Sequence, residues 1–543
     1  MPSWVGSRTL ILGSIFLAVW GVLYFPVLPA SSASAPARSL TQQQAYAPHQ
    51  LVLGAAGTRA KRVAVVGAGA SGSSAAWFLT RAARIAEARA GLEAGALLAP
   101  VVVYDKEDYV GGRSTVVFAH NDSRADAAEL GAAIFVGANR NLVNAAKLFN
   151  LSTYDVEFGG GVGIWDGREF LFQTDGTKGW WGKIWTGIAA FRRYGALSGL
   201  RQARATAALL RKFKRLYSPE WLAERGALPS IEEFARAVEL GTELTTEKGI
   251  DWARGEKLSD RWISEMIEPS TRVNYASDLD VIHALGASVS LATDDAVAVE
   301  GGNWRIFDAF LKDAGADVRL STVVTDIEPE GDQFRVVTGD TEEVYDQVFF
   351  AAPWGSSPIS RRLEKHFDEA IPPQEYVRLH TTFVTTTTEH PDPGYFGFTE
   401  DTKIPTHVFT TGWTAREEGS PAPAFQSISY QRRVGNERVV KIFSLAHIDD
   451  DHLHRIFGEK PSWVLRKVWE SYPVLRPIAA YAPAEPIRGL HYLAALEPWV
   501  STMETQTLSA REAVARVVER WWGLGLGECD GGADAWDFTC NAG

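Results

Sequence analysis

The chain has 543 residues, is 46% hydrophobic and 22% charged, carries a formal net charge of −12 and contains two cysteines. Such a length supports two lobes or more around large cores, with an ordinary globular composition. The acidic balance, with no Lys/Arg-dense face standing out, argues against a nucleic-acid partner, and no metal-ligand cluster appears around either cysteine. Nineteen Trp and 26 Phe fit either a large aromatic core or a roomy apolar cavity.

At the N-terminus, Arg8 precedes the apolar run Thr9–Leu28 and the small-residue stretch 29–35. A positive flank, an apolar core and an Ala-Ser-Ala triplet describe a secretory signal peptide over residues 1–35. The run is long, so an uncleaved signal anchor competes with that reading. Either way the remainder is expected in the secretory lumen, reaching a lysosome or vacuole or being secreted. Residues 36–60, rich in Ala, Ser, Gln and Pro, read as a linker. Asn121 and Asn150 head Asn-X-Ser sequons and are glycosylation candidates suited to that compartment.

The globular part opens with Val63–Val66, a continuously apolar run expected of a parallel strand buried on both faces. It leads into Gly67-Ala68-Gly69-Ala70-Ser71-Gly72. Gly67 permits a sharp turn, Gly69 lets a pyrophosphate approach the backbone, and Gly72 lets the next helix pack close. Ala75, Phe78, Leu79, Ala82 and Ile85 then recur at helical spacing, and the N-terminus of that helix suits a phosphate. A second strand, 101–105, ends in Asp105, an acceptor for ribose hydroxyls. It lies 33 residues beyond Gly72, and the alanine-rich insert 84–99 accounts for the extra length. The combination reads as dinucleotide binding.

Further along, Asp166-Gly167 between aromatic-rich flanks signals a hairpin over 165–172. Residues 177–215 read as helical, with Trp180, Trp181, Trp185, Phe191 and Tyr194 interleaved with Lys and Arg. Those rings fit the wall of an apolar tunnel, ordinary core, or a face resting on a membrane surface. Strand-like runs follow at 323–327, 334–337, 345–350 and 439–444, giving an α/β chain whose second lobe is rich in antiparallel strands. Cys529 and Cys540 lie close together and can close a small loop over the acidic, Gly-rich tail.

The segment Lys106-Glu-Asp-Tyr-Val-Gly111-Gly112-Arg113, just past the ribose-binding acid, resembles the amine-oxidase class of flavoproteins, in which it runs along FAD. Arg113 is suited to pair with the pyrophosphate. Glu129-Leu-Gly131-Ala132-Ala133 resembles the stretch beside the flavin in that class, so FAD is the expected cofactor. The implied fold is a doubly wound, Rossmann-type FAD domain of the amine-oxidase/glutathione-reductase-like class with a mixed α+β substrate domain.

The stretch Arg272-Val-Asn274-Tyr275, with His283-Ala-Leu-Gly286-Ala-Ser-Val-Ser-Leu and Val299-Glu300-Gly301-Gly302-Asn303, resembles the prenylcysteine oxidase family. Agreement extends from about Arg62 to Val517. Departures are Ser71, where the family has a further glycine, and Ala494-Ala-Leu-Glu497, where it has Asn-Gly-Ile-Glu. The resemblance implies FAD parts at 61–155, 285–355 and 486–520, substrate-domain parts at 156–284 and 356–485, and a tail at 521–543. It implies cofactor contacts at Gly67, Ala68, Gly69, Ser71 and Gly72, at Asp105, Lys106, Gly111, Gly112 and Arg113, and at Gly131 and Ala132. Val324, in a strand of the second FAD part, Glu497, Glu504 and Thr505 complete the set.

The implied reaction takes S-farnesyl- or S-geranylgeranyl-cysteine, water and molecular oxygen to cysteine, a prenyl aldehyde and hydrogen peroxide. The flavin carries the hard step, so no catalytic triad and no metal are expected. Arg272 or Tyr275 is a candidate for the substrate carboxylate. His283 is a candidate for activating water, against a structural role. The alternatives are another FAD-dependent amine or polyamine oxidase, and a non-catalytic lipid carrier on a flavin fold. The oligomeric state is open.

Overall fold

The structure is a computed structural model that describes residues 59–156, 159–174, 180–293, 295–359, 361–529 and 535–541. The expected signal or anchor, nearly all of the expected linker, and residues 530–534 of the tail lie outside the described residues. Among these, no helix is long and apolar enough to cross a membrane.

Five strands, all parallel, form the sheet that carries the glycine loop, in the order Leu490–Tyr492, Gln347–Phe350, Val63–Val66, Val102–Tyr104, Asp317–Arg319. Both its faces are covered, which is why its strands read as unbroken apolar runs. Val63, Val65, Val103 and Phe349 enter one core, shared with the helices Ala70–Ala90, Trp304–Ala314 and Met503–Trp522. The alternate residues Ala64, Val102, Tyr104, Val348 and Phe350 enter another. That second core also holds Ile327, Phe334, Val336 and Tyr345 of an antiparallel three-stranded sheet. A period of two therefore feeds two cores at once.

The other lobe is built on a seven-stranded sheet, ordered Trp463–Pro473, Tyr376–Thr386, Glu437–Ser444, Ser427–Val434, His407–Thr410, Val162–Trp165, Phe170–Gln173. Only the pairing of His407–Thr410 with Val162–Trp165 is parallel. The Asp166-Gly167 hairpin forms as read, with Ile164 opposite Phe172. The helical stretch is two helices, Trp180–Tyr194 and Leu197–Phe213, broken at Gly195 with φ +67°. The first helix runs on to Ala90 and absorbs part of the alanine-rich insert, ending on Gly91 in the left-handed conformation. The strand expected over 323–327 starts later, at Asp326, so Val324 lies in the connection before it.

The tail folds back as a strap. Cys529 and Cys540 are disulfide-bonded, and Phe538 packs on Trp77 and Phe78 of the first helix with ring centroids 4.5 and 6.1 Å apart. Asn121 and Asn150 are both exposed.

Candidate active site

Between the lobes lies a cavity of about 920 Å³. One end is the glycine loop. Gly111 donates its N–H to the carbonyl of Ala68 at 2.9 Å, strapping the Gly-Gly-Arg segment to the first loop. Asp105 joins the same assembly, accepting from the amides of Ala68 at 2.7 Å and Glu107 at 2.9 Å. Burial holds the Asp105 carboxyl above the usual range. Lys106, exposed, lines the rim beside it.

The glycines divide by what they meet. A Cβ on Gly72 would sit 1.8 Å from the carbonyl oxygen of Gly67, so the turn itself requires glycine there. A Cβ on Gly69 would meet no protein atom nearer than 3.8 Å, although Gly69 lines the cavity. The space in front of Gly69 is thus available to a ligand at backbone contact. Ser71 lines the cavity at the N-terminus of a 21-residue helix, where free amides favour phosphate. Thr502 to Gln506, around the N-terminus of the 20-residue helix Met503–Trp522, line it too.

A dinucleotide fits this cradle on a second count. Ser114 Oγ, Glu129 Oε2, Trp469 Nε1, Ser471 Oγ, Tyr472 Oη and Gln506 Nε2 are buried without a hydrogen-bond partner among the described residues. All six belong to residues lining the cavity. Buried polar atoms are ordinarily satisfied, so a bound polar group has partners waiting.

Several expected site residues have other occupations. Arg113 forks onto Glu497, with Nη1–Oε2 at 3.2 Å, and also donates to the carbonyl of Ser471 at 3.0 Å. Tyr376 donates to the same Glu497 at 2.8 Å. Arg113 and Glu497 therefore lock each other within the dinucleotide lobe, Ser471 and Tyr376 reach them from the other lobe, and the guanidinium read as a pyrophosphate partner is held by a carboxylate. Glu504 accepts from the amides of Asn141 and Leu142 at 2.9 and 3.1 Å and from the Tyr217 hydroxyl. It caps the helix Arg140–Leu148, and burial pushes its carboxyl up to about 7. Thr505 Oγ1 closes a capping box with Thr502 and donates to the carbonyl of Val500 at 2.7 Å.

Of the three catalytic candidates, Tyr275 alone lines the cavity, its hydroxyl 3.3 Å from the carbonyl of Ser501. Arg272, expected as a candidate for the substrate carboxylate, is instead occupied within the fold: it is buried, pairs with Asp278 and donates to Thr410 Oγ1 at 3.1 Å, away from the cavity wall. His283 is likewise structural. Its Nδ1 accepts from the Gly286 amide at 3.0 Å, capping the helix Ala284–Ser290, and its Nε2 donates to the carbonyl of Pro498 at 3.0 Å. With both nitrogens engaged and burial lowering its pKa to about 4, the ring is neutral and offers no proton path.

The Gly-Gly-Asn block acts on the flavin-side segment. Asn303 donates its amide to Glu129 Oε1 at 2.6 Å and its Nδ2 to the carbonyl of Ala132 at 3.0 Å. Gly131 sits in the middle, where a Cβ would lie 2.5 Å from the Trp469 ring. Facing this segment is a residue the sequence reading missed. Lys441 is buried on the strand Glu437–Ser444, lines the cavity and donates to the carbonyl of Glu129 at 2.8 Å. Burial lowers its pKa to about 8, and burial raises that of Glu129 to about 7. The strand reads Glu-Arg-Val-Val-Lys-Ile-Phe-Ser, without a clean apolar–polar alternation, so nothing local marks Lys441 as pointing inward.

The far end of the cavity is apolar. Val162, Ile164 and Phe172 of the hairpin and Phe409 of the neighbouring strand share one apolar cluster there, while Leu209 and Phe213 of the helix Leu197–Phe213 line the cavity from the core of the dinucleotide sheet. Met266 reaches the apolar end from a π-helical turn, Ile263–Ile267, and Pro269 from the helix Glu268–Tyr275 that follows. Pro269 has no N–H for the carbonyl of Glu265 four residues back, the local cause of the wide turn.

A parallel sheet with a glycine-loop dinucleotide cradle, opening into an apolar cavity under a second sheet, defines a flavin-dependent oxidoreductase. The chain belongs to the prenylcysteine lyase family, whose family model matches residues 179–528. A further match, NAD(P)-binding Rossmann-like domain, covers residues 65–149. Relatives include farnesylcysteine lyase of Arabidopsis thaliana, 27% identical over 84% of this chain and 87% of that one. Prenylcysteine oxidase 1 of Mus musculus is 25% identical over 85% and 90%. Among solved structures, putrescine oxidase bound to putrescine has a TM-score of 0.51 at 15% identity, covering 85% of this chain and 99% of that one. Cyclohexylamine oxidase from Brevibacterium oxydans has a TM-score of 0.51 at 14% identity, over 85% and 99%. These structures share the fold.

Proposed function

We propose that the chain is an FAD-dependent oxidase that cleaves S-prenyl-L-cysteine. Water and oxygen are consumed; cysteine, a prenyl aldehyde and hydrogen peroxide are released. The observation that carries this reading is that the dinucleotide cradle and the apolar chamber are one cavity, so a long hydrocarbon can lie in line with the cofactor. Each methylene moved from water into that chamber contributes about 0.8 kcal/mol. The names of the relatives support the substrate class.

FAD, when bound in the glycine-loop cradle, would supply the two-electron redox chemistry, with oxygen as the final acceptor. The chain's own residues do the rest. Met266, Phe172 and Phe409 hold the prenyl chain and exclude water. Arg432 and Lys467, on the cavity wall, offer cations to the substrate carboxylate in the role expected of Arg272. Lys441 places a positive charge beside the flavin-side segment. The compartment we propose is the secretory lumen, a reading supported by the disulfide and by the exposure of both sequon asparagines.

The test is anaerobic mixing of the purified, flavin-loaded protein with farnesylcysteine, S-methylcysteine or putrescine. Farnesylcysteine should bleach the flavin and, on admitting air, yield farnesal and peroxide; the other two should leave it yellow. Bleaching by the amine alone would make the protein an amine oxidase. A colourless protein that still binds farnesylcysteine would make it a carrier.

A further inference from the structure

We propose that the helix pair Trp180–Tyr194 and Leu197–Phe213 is a docking surface for an anionic lipid bilayer. Contrary to the expectation from the overall charge of −12 that no Lys/Arg-dense face stands out, residues 176–219 contain ten Lys or Arg and no Asp or Glu. Among the described side chains of this segment, three large apolar residues stand in solvent: Ile188 is 37% exposed, Phe191 52% and Leu197 62%. Leu197, Arg204 and Arg211 recur every seven residues, so they share one helix face, and all three are exposed. Arg193 and Arg215 are paired, with Glu265 and Glu239. Arg192, Arg204, Arg211 and Lys214 have no carboxylate partner among the described residues.

Exposed hydrophobes flanked by unpaired cations match a headgroup interface: the rings and aliphatic chains enter the acyl boundary while the cations meet anionic lipid. A nucleic-acid backbone would use the charges and leave Phe191 and Leu197 in water. The inner side of the same elements reaches the cavity. Ala190 and Tyr194 pack in one cluster with Val162, Ile164 and Phe172 of the apolar chamber, and Leu209, Leu210 and Phe213 line the cavity nearer the dinucleotide sheet. Docking thus brings the apolar end of the cavity to the lipid. That the chamber takes its substrate from there rests on the prenylcysteine reading; the docking does not.

The experiment uses the full flavin-loaded chain with vesicles of phosphatidylcholine, alone or with phosphatidylserine, in a sedimentation assay. The wild type should bind the anionic vesicles more tightly. Arg204→Glu with Arg211→Glu should weaken that binding by about tenfold or more and leave binding to neutral vesicles unchanged. The N-terminal apolar run is common to both proteins and cancels in the comparison. Both cysteines are disulfide-bonded, so Leu197→Cys gives a single thiol for a polarity-sensitive dye, whose emission should shift to the blue on anionic vesicles. Equal binding to both vesicle types, a charge variant that binds like wild type, or a dye that responds to duplex DNA and not to vesicles would each overturn the proposal. None of these readouts involves turnover, so failure of the substrate assignment would leave them intact.

Discussion

Gly69 and Gly72 are three residues apart in one motif and are glycine for different reasons. Gly72 answers to the protein, because its Cβ would strike the Gly67 carbonyl at 1.8 Å. Gly72→Ala is therefore expected to fail to fold, or to melt far below wild type. Gly69 answers only to what lies in front of it. Gly69→Ala should melt in the flavin-free form within a few degrees of wild type and yet bind FAD at least ten times more weakly, by thermal denaturation and flavin titration; unchanged flavin affinity would remove the cofactor from that position. At the same scale, His283 shows what sequence inspection cannot decide. A lone histidine in a family motif reads more readily as structural than as an acid–base group, and its two hydrogen bonds show it to be a cap. Lys441 is the converse case, unremarkable in sequence and buried against Glu129 in the fold.

Among elements, the C-terminal strap is attached by more than its disulfide. Asp537 accepts from the Gly527 amide at 2.8 Å, Trp536 donates to the Gly525 carbonyl at 3.0 Å, and Arg81 of the first helix donates to the Ala535 carbonyl at 3.1 Å. The bonded cysteines are 11 residues apart, and a loop of roughly that size contributes about 3 kcal/mol by restricting the unfolded chain. Replacing both by Ser should lower unfolding free energy by about that amount in urea denaturation, with the flavin spectrum retained. The strap packs on the back of the helix Ala70–Ala90, and the cavity lies at its N-terminus.

Over the whole molecule, the active cavity exists only where two lobes meet, and its titrating pair comes from both. Glu129, raised to about 7, is ionised above that pH; Lys441, lowered to about 8, is charged below that pH. The oppositely charged state is therefore fullest between these values, with Arg432 adding a further cation near Glu129. Turnover should peak there. Glu129→Gln should flatten the acid limb of the pH profile and Lys441→Met the alkaline limb. Profiles that superimpose on wild type would exclude both groups from the reaction.

The sequence by itself determined what is local. The strand–glycine turn–helix unit needs its residues at fixed neighbouring positions, so Val63–Val66, Gly67, Gly69, Gly72 and Asp105 were legible, as was the Asp166-Gly167 hairpin. The tertiary structure alone decided which polar side chains face the cavity. Arg113, Glu497 and Glu504 bear charges that can serve a ligand or another part of the chain, and their partners are distant in sequence: Arg113 and Glu497 are 384 positions apart, and Glu504 and Asn141 363. Charge carries no address in sequence; burial and the register of distant strands assign it, turning Glu497 to Arg113, Glu504 to a helix end, and Lys441 to the space beside Glu129.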